Sequence, residues 1–295
     1  MRAALLSMVV LALLTSCKKA ADNEEATPGT IQVCVSIPPL LGVFRAIGGD
    51  AVQVTSLMSD QDDPHTFSPT PQTVAKLRDT DLFVTIGVDY EKVLASKVSR
   101  MFPELVLVDA SRSLQRLGHD EHAEHGEHDT HGCEHASDPH VWLSIPNLIT
   151  IAENACAALS KAAPEHAETF AKNYSEYEKT LRARHTEFAD KLKSLKQRSF
   201  CVYHPVFGYF ARDYDLHQAT VEIDGKAPSP RQLRDLYQQA TKEGFRVVFV
   251  QPQFNDGPAK TIAERIGGRV VRVNPLAEDP IAVLGKGVSA LVEGR

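Results

Sequence analysis

The sequence predicts an α/β protein of two lobes with parallel sheets, joined by one long helix. Three observations lead to this prediction. Strand-like runs alternate with helical stretches in both halves of the chain, which is typical of parallel sheets. A helical pattern without Pro or Gly separates the two halves. The length of 295 residues is enough for about two domains.

Seven strand-like segments account for the two predicted sheets. In residues 31–37, apolar side chains alternate with Gln32, Cys34 and Ser36, and Pro38 follows, so a half-buried strand should end there. Helical stretches such as 73–78 and 90–99 separate the strands of the first half. The remaining strand-like runs are 52–58, 82–88 and 104–108 in the first half and 200–203, 246–251 and 269–273 in the second.

The linking helix is predicted over residues 164–198, between a first lobe at 31–163 and a second lobe at 199–295. Pro164 suits a first helical turn, and 33 residues from Pro164 to Lys196 would span about 50 Å. Two helices joined by a turn are the alternative. The apolar stripe that supports one helix has spacings of 3 and 4 with one step of 7: Ala167, Phe170, Tyr174, Tyr177, Leu181, Phe188, Leu192 and Leu195.

The N-terminus has the pattern of an export signal. Arg2 precedes an apolar run at 3–14, which is shorter than the roughly 20 residues of a membrane-spanning helix. Residues 14–17 (LTSC) resemble the lipobox of bacterial lipoproteins, in which the Cys is acylated. We therefore predict a signal peptide at 1–16, lipidation of Cys17, and a polar tether at 17–30. A simple signal peptide with an incidental Cys17 is the alternative.

Composition and charge narrow the function classes. With 32 Lys and Arg against 38 Asp and Glu, the formal net charge is −6, which does not favour nucleic-acid binding. The hydrophobic fraction of 43% is that of an ordinary globular protein. Export permits disulfides, but Cys34 and Cys201 lie in strand-like runs where buried thiols are expected. Cys133 lies in a histidine-rich run and is a candidate soft metal ligand.

Histidine is unusually concentrated in one segment. Six of the twelve His lie within residues 119–135, among acidic residues and Gly and with almost nothing apolar. Neutral imidazole binds zinc, copper and nickel, so the segment predicts a mobile, metal-binding loop. A solvated low-complexity insert without a metal is the alternative. The loop histidines are His119, His122, His125, His128, His131 and His135.

Three single histidines stand beside predicted strand ends or turns: His65, His140 and His204. Ligands of parallel α/β sheets bind beyond the carboxyl ends of the strands, where His65 and His204 are predicted. His65 and His140 each follow Asp-Pro, in which Pro restricts the backbone and Asp can orient the ring. A structural role is the alternative for each histidine taken alone.

In combination, these segments resemble the cluster A-I solute-binding proteins of bacterial ABC transporters, the zinc and manganese binders of the ZnuA/TroA type. The resemblance runs from about residue 31 to residue 295. Its ordered motifs are DPHTFSPTP at 63–71, the His-rich insert, DPHVW at 138–142, His204 followed by FGYF at 207–210, PSP at 228–230, QPQF at 251–254, and the end around Asp279.

The resemblance implies a C-clamp with a metal held between the two lobes. Carried over by position, the ligands are His65 and His140 from the first lobe, and His204 and Asp279 from the second. Three imidazoles favour Zn²⁺ over Mn²⁺, which prefers carboxylates. Gln251 stands where many relatives have Glu, which puts the charge at that position in doubt.

The expected function is capture of Zn²⁺ outside the cytoplasmic membrane and delivery to an ABC transporter permease by a lipid-anchored, monomeric, non-enzymatic protein. A manganese-binding or adhesin-type member of the same family is an alternative. A secreted zinc hydrolase with Asp279 as general base is the alternative from another class. The sequence lacks the His-Glu-x-x-His signature that would favour that hydrolase.

Overall fold

Two four-stranded parallel sheets organise the computed structural model, which describes residues 29–118, 137–222 and 228–294. The strand order is β2-β1-β3-β4 in the first sheet and β6-β5-β7-β8 in the second. All neighbouring strands are parallel. The predicted fold class is confirmed, and each sheet has a switch point between its two central strands, where ligand sites form.

The first sheet places its most apolar strands at the centre. Leu82 and Phe83 pair with Val33 and Cys34, all buried, because helices cover this part of the sheet. Pro39 begins the first helix, where a missing N–H is tolerated. The elements are β1 (Ile31–Val35), α1 (Pro39–Gly48), β2 (Val52–Ser56), α2 (Pro71–Ala75), β3 (Leu82–Thr85), α3 (Asp89–Met101) and β4 (Val106–Asp109).

The second sheet repeats this arrangement. Its central strands are buried at every residue, as expected for a parallel sheet with helices on both faces. Ser229 begins one helix with a capping box, in which its hydroxyl accepts from the Gln232 N–H and the Gln232 side chain accepts in return. The elements are β5 (Ser199–Val202), α6 (Gly208–Asp213), β6 (His217–Thr220), α7 (Pro230–Glu243), β7 (Val247–Val250), α8 (Gly257–Arg265), β8 (Arg269–Arg272) and α9 (Pro280–Glu293).

Two helices follow the first sheet in the sequence and precede the second: α4 (Ile145–Ala162) and α5 (Ala167–Lys193). α5 is one uninterrupted α-helix of 27 residues, about 40 Å long. It is shorter than predicted, because Pro164–His166 form a 3-10 turn, a common start for an α-helix. The side chains of Phe170, Leu181, Phe188 and Leu192 are buried, which confirms the apolar stripe.

The two lobes share one hydrophobic core. Buried apolar side chains continue from the first sheet through α5 to Phe207 and Phe249 of the second lobe. Trp142 of the first lobe donates its indole N–H to the carbonyl oxygen of Pro275 in the second, over 2.8 Å. This packing fixes how the loops at the strand ends of the two lobes face each other.

Several sequence predictions concern cysteines and the membrane. Cys34 and Cys201 are buried free thiols, as expected, and Cys156 is a partly buried free thiol. Over residues 29–118, 137–222 and 228–294, every helix is too short or too polar to cross a bilayer. The predicted signal peptide, Cys17, Cys133 and the six loop histidines (119–135) lie outside the described residues.

Candidate metal centre

Three histidines that are far apart in the sequence meet at the cleft between the lobes. The Nε2 atoms of His65 and His204 are 3.1 Å apart. The His140 ring lies 5.6 Å from the His65 ring and 5.5 Å from the His204 ring, between centroids. One potential ligand atom from each ring lies within 4.8 Å of the other two. Within the described residues, this is the one group of three or more potential metal ligands that meets that distance.

His65 is presented by a tight turn after β2. The Oδ1 atom of Asp63 accepts the backbone N–H of His65 over 3.0 Å, and its Oδ2 atom accepts the Thr66 hydroxyl over 3.2 Å. The carbonyl oxygen of Asp63 accepts the N–H groups of Thr66 and Phe67. The Asp of this first Asp-Pro-His triplet therefore fixes the backbone of the turn.

His140 is the most buried of the three, with 6% of its surface exposed. The Oδ1 atom of Asp138 accepts the backbone N–H of His140 over 2.9 Å and lies 2.8 Å from its Nδ1 atom. A carboxylate can only accept, so Nδ1 carries the proton and Nε2 presents its lone pair. The Asp of the second triplet thus orients the ring, the role expected from the sequence.

His204 follows β5 by two residues and is held by Gln251 of the QPQF motif and by Glu222, which the sequence motifs did not indicate. Its Nδ1 atom lies 3.2 Å from Oε2 of Glu222, a buried residue whose carboxyl pKa is raised by desolvation. The side chain of Gln251 donates to the carbonyl oxygen of His204 over 2.8 Å and accepts its N–H over 3.4 Å. Glu222 follows β6 and Gln251 follows β7, so their positions after neighbouring strands were the available signal.

Each imidazole has an acidic side chain near its Nδ1 atom. For His65 the neighbour is Asp89, at 3.8 Å, which is an ion-pair distance for a protonated ring. Burial lowers the pKa of His65 below its ordinary value, and the nearby His140 lowers it further. Burial therefore favours the neutral form of His65, which is the form that binds metal.

The cleft has room for one ion. The cavity beside the three imidazoles has a volume of about 20 Å³, which is enough for about one water molecule. Two nitrogens bound to one tetrahedral zinc ion would be roughly 3.4 Å apart, close to the observed 3.1 Å. The lining residues are Asp63, Pro64, His65, His140, Trp142, His204, Val206, Gln251, Gln253, Phe254, Pro275 and Leu276.

Asp279, the predicted fourth ligand, is not brought to this cluster. It is the N-cap of α9, where its Oδ1 atom accepts the N–H groups of Ile281 and Ala282 over 2.9 and 3.1 Å. Its carboxylate lies near α5, where it helps raise the pKa of Tyr177. Asp before Pro at a helix start satisfies the free N–H groups of the first turn, and this explains its position.

The DPHVW and FGYF motifs contribute buried aromatic side chains. Trp142 is buried and also lines the cleft. Phe207 packs between Phe200 and Phe249 in the core. Tyr209 is buried, but its hydroxyl contacts the backbone of the other lobe.

Sequence comparison finds relatives that are named as zinc-binding proteins. The model of a family described as "Zinc-uptake complex component A periplasmic" (ZnuA) matches residues 33–287. The zinc-binding protein AdcA of Streptococcus pyogenes serotype M3 is 30% identical over 285 residues, covering 92% of this chain and 55% of AdcA. The zinc-binding lipoprotein AdcA of Streptococcus pneumoniae serotype 4 is 28% identical over 302 residues, covering 97% and 60%. The chain thus spans little more than half the length of these curated relatives.

Structural comparison agrees with the family match. A crystal structure of ZnuA superposes with a TM-score of 0.82 at 29% identity, covering 90% of this chain and 99% of that one. A zinc-bound ZnuA deletion mutant superposes with a TM-score of 0.80 at 30% identity, covering 90% and 98%. Together with the sequence match over residues 33–287, these likenesses show that the chain belongs to the ZnuA family, whose description is the periplasmic component A of zinc-uptake complexes.

Proposed function

We propose that this protein captures Zn²⁺ in the cleft between its lobes and delivers it to the membrane permease of an ABC transporter. The observation that carries the proposal is the convergence of three imidazoles on a space the size of one ion. The proposal also draws on the similar proteins, since both AdcA relatives are named as zinc-binding and one ZnuA structure is described as zinc-bound.

The proposed ligands are His65, His140 and His204, each through Nε2. Because Asp138 and Glu222 face the Nδ1 atoms of two of the rings, those Nε2 lone pairs are directed away from the acidic partners. His65 is the most exposed of the three, so the fourth coordination position at its side is assigned to solvent. Asp279 has no place in this ligand set.

Zinc is preferred to manganese in this proposal because of the donor set. Imidazole nitrogen suits zinc, whereas carboxylate and water oxygens suit manganese. The acidic residues of the site lie behind the rings, at Nδ1, and so increase the basicity of the imidazoles.

Capture and transport fit the site better than hydrolysis does. The carboxylate that the hydrolase alternative required as general base, Asp279, is bound to the N-terminus of α9.

The remaining parts of the proposal concern residues outside those described. We assign a lipid anchor to Cys17, in keeping with the lipoprotein name of the Streptococcus pneumoniae relative. We assign weaker, secondary zinc binding to the six loop histidines at 119–135. The protein is proposed to act as a monomer on the extracytoplasmic face of the membrane.

Zinc content after dialysis tests the site. Wild type should retain one zinc ion per chain, and so should a variant that lacks residues 119–135. In the variant that lacks residues 119–135, a further His140→Ala or His204→Ala substitution should abolish zinc retention. The control is His166→Ala, in the turn before α5. Retention of one zinc by both cleft variants would refute the ligand assignment.

A growth experiment separates transport from adhesion. Deletion of the gene should stop growth in zinc-poor medium, and added zinc should restore it. Growth that is unaffected by deletion, with loss of surface attachment instead, would favour the adhesin alternative.

A further inference from the structure

The hydroxyl of Tyr209 joins the two lobes at a point close to the metal centre. Tyr209 lies in α6 of the second lobe, and its ring is fully buried. Its hydroxyl accepts the backbone N–H of Leu117 over 3.1 Å and donates to the carbonyl oxygen of Asp138 over 2.8 Å. Both partners belong to the first lobe, so one oxygen atom connects two backbone segments of that lobe to the other lobe.

The two segments are themselves paired. Gly118 and Ser137 form an isolated antiparallel bridge, and the N–H of Asp138 donates to the carbonyl oxygen of Leu117 over 2.9 Å. The Tyr209 hydroxyl bonds to the N–H of Leu117 and the carbonyl oxygen of Asp138, which this pairing leaves unused. Tyr209 therefore completes the hydrogen bonding at this bridge from across the interface.

The bridge is directly connected to a proposed zinc ligand. Asp138, whose carbonyl oxygen accepts from Tyr209, holds both the backbone N–H and the Nδ1 atom of His140 through its carboxylate. A displacement of the Asp138 backbone would therefore move the carboxylate that orients the His140 ring. The second lobe is thus connected to this ligand by the hydrogen bond from Tyr209 to the carbonyl oxygen of Asp138, by the covalent bonds within Asp138, and by the hydrogen bonds of its carboxylate to His140.

We propose that Tyr209 is a positioning residue for zinc binding: by holding the Asp138 backbone across the interface, its hydroxyl keeps His140 in place and prolongs the lifetime of the bound ion. The inference rests on the proposed function, since it concerns the same three-histidine site. It adds to that function a residue that touches none of the three ligands but acts on one of them through Asp138.

The matched control is a second buried tyrosine beside the same helix. Tyr214 follows α6, and its hydroxyl contacts Nδ1 of His185 on α5 over 3.0 Å. Replacing either tyrosine by Phe keeps the ring and removes one buried hydroxyl. Tyr209→Phe also leaves the N–H of Leu117, which is buried, without this partner.

The test is the rate of zinc release from the full-length protein, measured by stopped flow with an excess of a chromogenic chelator. Tyr209→Phe should release zinc roughly tenfold faster than wild type, because a buried donor and acceptor lose their partner. Tyr214→Phe should release zinc at the wild-type rate, even if both variants lower the Tm of the metal-free protein equally. Equal release rates for wild type and Tyr209→Phe, or an equal acceleration in both variants, would overturn the inference.

Two outcomes separate this inference from the proposed function. Wild type that retains no zinc would overturn both. If wild type retains zinc and the Tyr209→Phe variant releases it at the wild-type rate, the inference alone is overturned.

A second measurement uses wild type only and so does not depend on the folding of a variant. The Leu117 amide should show slow hydrogen exchange, and zinc should slow it further, because an ion bound to His140 stabilises the Asp138 segment that pairs with Leu117. Exchange of this amide as fast as that of an unstructured peptide, or exchange unaffected by zinc, would overturn the inference.

Discussion

The carboxylate of Asp138 lies 2.8 Å from the Nδ1 atom of His140 and accepts the backbone N–H of the same residue over 2.9 Å. One side chain thus fixes both the position and the tautomer of the most buried histidine of the site. This arrangement leaves Nε2 unprotonated and directed at the other two rings.

Asp138→Asn should lower zinc affinity about 10–100-fold, because an amide is a weaker acceptor than a carboxylate and no longer enforces the tautomer. Affinity is measured by competition with a chelator of known zinc affinity. Asp109→Asn is the control, since the Oδ1 atom of Asp109 also accepts from a residue two positions on, Ser111, but away from the cleft. Unchanged affinity in Asp138→Asn would contradict the orienting role.

Asp279→Ala should leave zinc affinity unchanged and lower the free energy of unfolding by about 1 kcal/mol. The expected loss is that of an N-cap, since the N–H groups of Ile281 and Ala282 lose their acceptor. Asp279→Asn, which keeps an accepting oxygen, should lose much less. Chemical denaturation and zinc titration of both variants check this. A large loss of affinity would instead restore Asp279 as a ligand.

Gln251→Glu should destabilise the metal-free protein by about 1–3 kcal/mol. The amide of Gln251 both donates to the carbonyl oxygen of His204 and accepts its N–H, whereas a carboxylate cannot donate. Thermal unfolding without metal is the measurement, with Gln238→Glu on the exposed face of α7 as the control. Equal Tm values for Gln251→Glu and wild type would mean that the donated hydrogen bond contributes nothing.

Zinc affinity should fall as the pH decreases below about 6, because protons compete with the ion for the imidazole nitrogens. Burial and the neighbouring His140 hold the pKa of His65 below the ordinary 6.5. His65 is therefore neutral and ready to bind at pH 7, and its protonation begins at lower pH than in a free imidazole. Titrations between pH 5 and 8 check this. Affinity that does not change over that range would argue against imidazole ligands.

Glu91→Gln should stabilise the protein more at pH 8 than at pH 4. Burial raises the pKa of Glu91 from 4.5 to about 7, although its carboxylate accepts the N–H groups of Ile86 and Gly87. The folded state therefore retains a proton that the unfolded state loses, so stability falls as the pH rises from about 4.5 to 7 and is then constant. The glutamine variant avoids this cost.

The expected gain of Glu91→Gln over wild type is on the order of 1–3 kcal/mol at pH 8 and close to zero at pH 4. Denaturant unfolding at a series of pH values measures it, with Glu176→Gln on the exposed face of α5 as the control. A gain that is the same at both pH values would show that the Glu91 carboxyl does not titrate in this window.

Local patterns in the sequence were sufficient to predict seven of the eight described strands, the linking helix and the three histidines that meet, but not β6 (His217–Thr220). The spacing of apolar residues shows which face of an element is buried. Examples are the alternation in residues 31–37 and the helical stripe that includes Phe170 and Leu181. His65 and His204 were indicated by their positions after strand ends, because parallel strands end at one edge of a sheet.

Asp138 was indicated beside His140 by the sequence, whereas the contacts of His204 and of Tyr209 were decided by the tertiary structure. Glu222 is 18 residues from His204 and Gln251 is 47, and Tyr209 lies 71 residues from the Asp138 carbonyl that it holds. Such contacts depend on how strands order in a sheet and how two lobes pack, which no local spacing encodes. Asp279 shows the converse, since its carboxylate is held by the N–H groups of the helix that follows it directly in the sequence. The sequence thus determined the elements, the ligand type and the local Asp138 partner of His140. Strand order within the second lobe brought Glu222 and Gln251 to His204, and packing between the lobes brought the three imidazoles together.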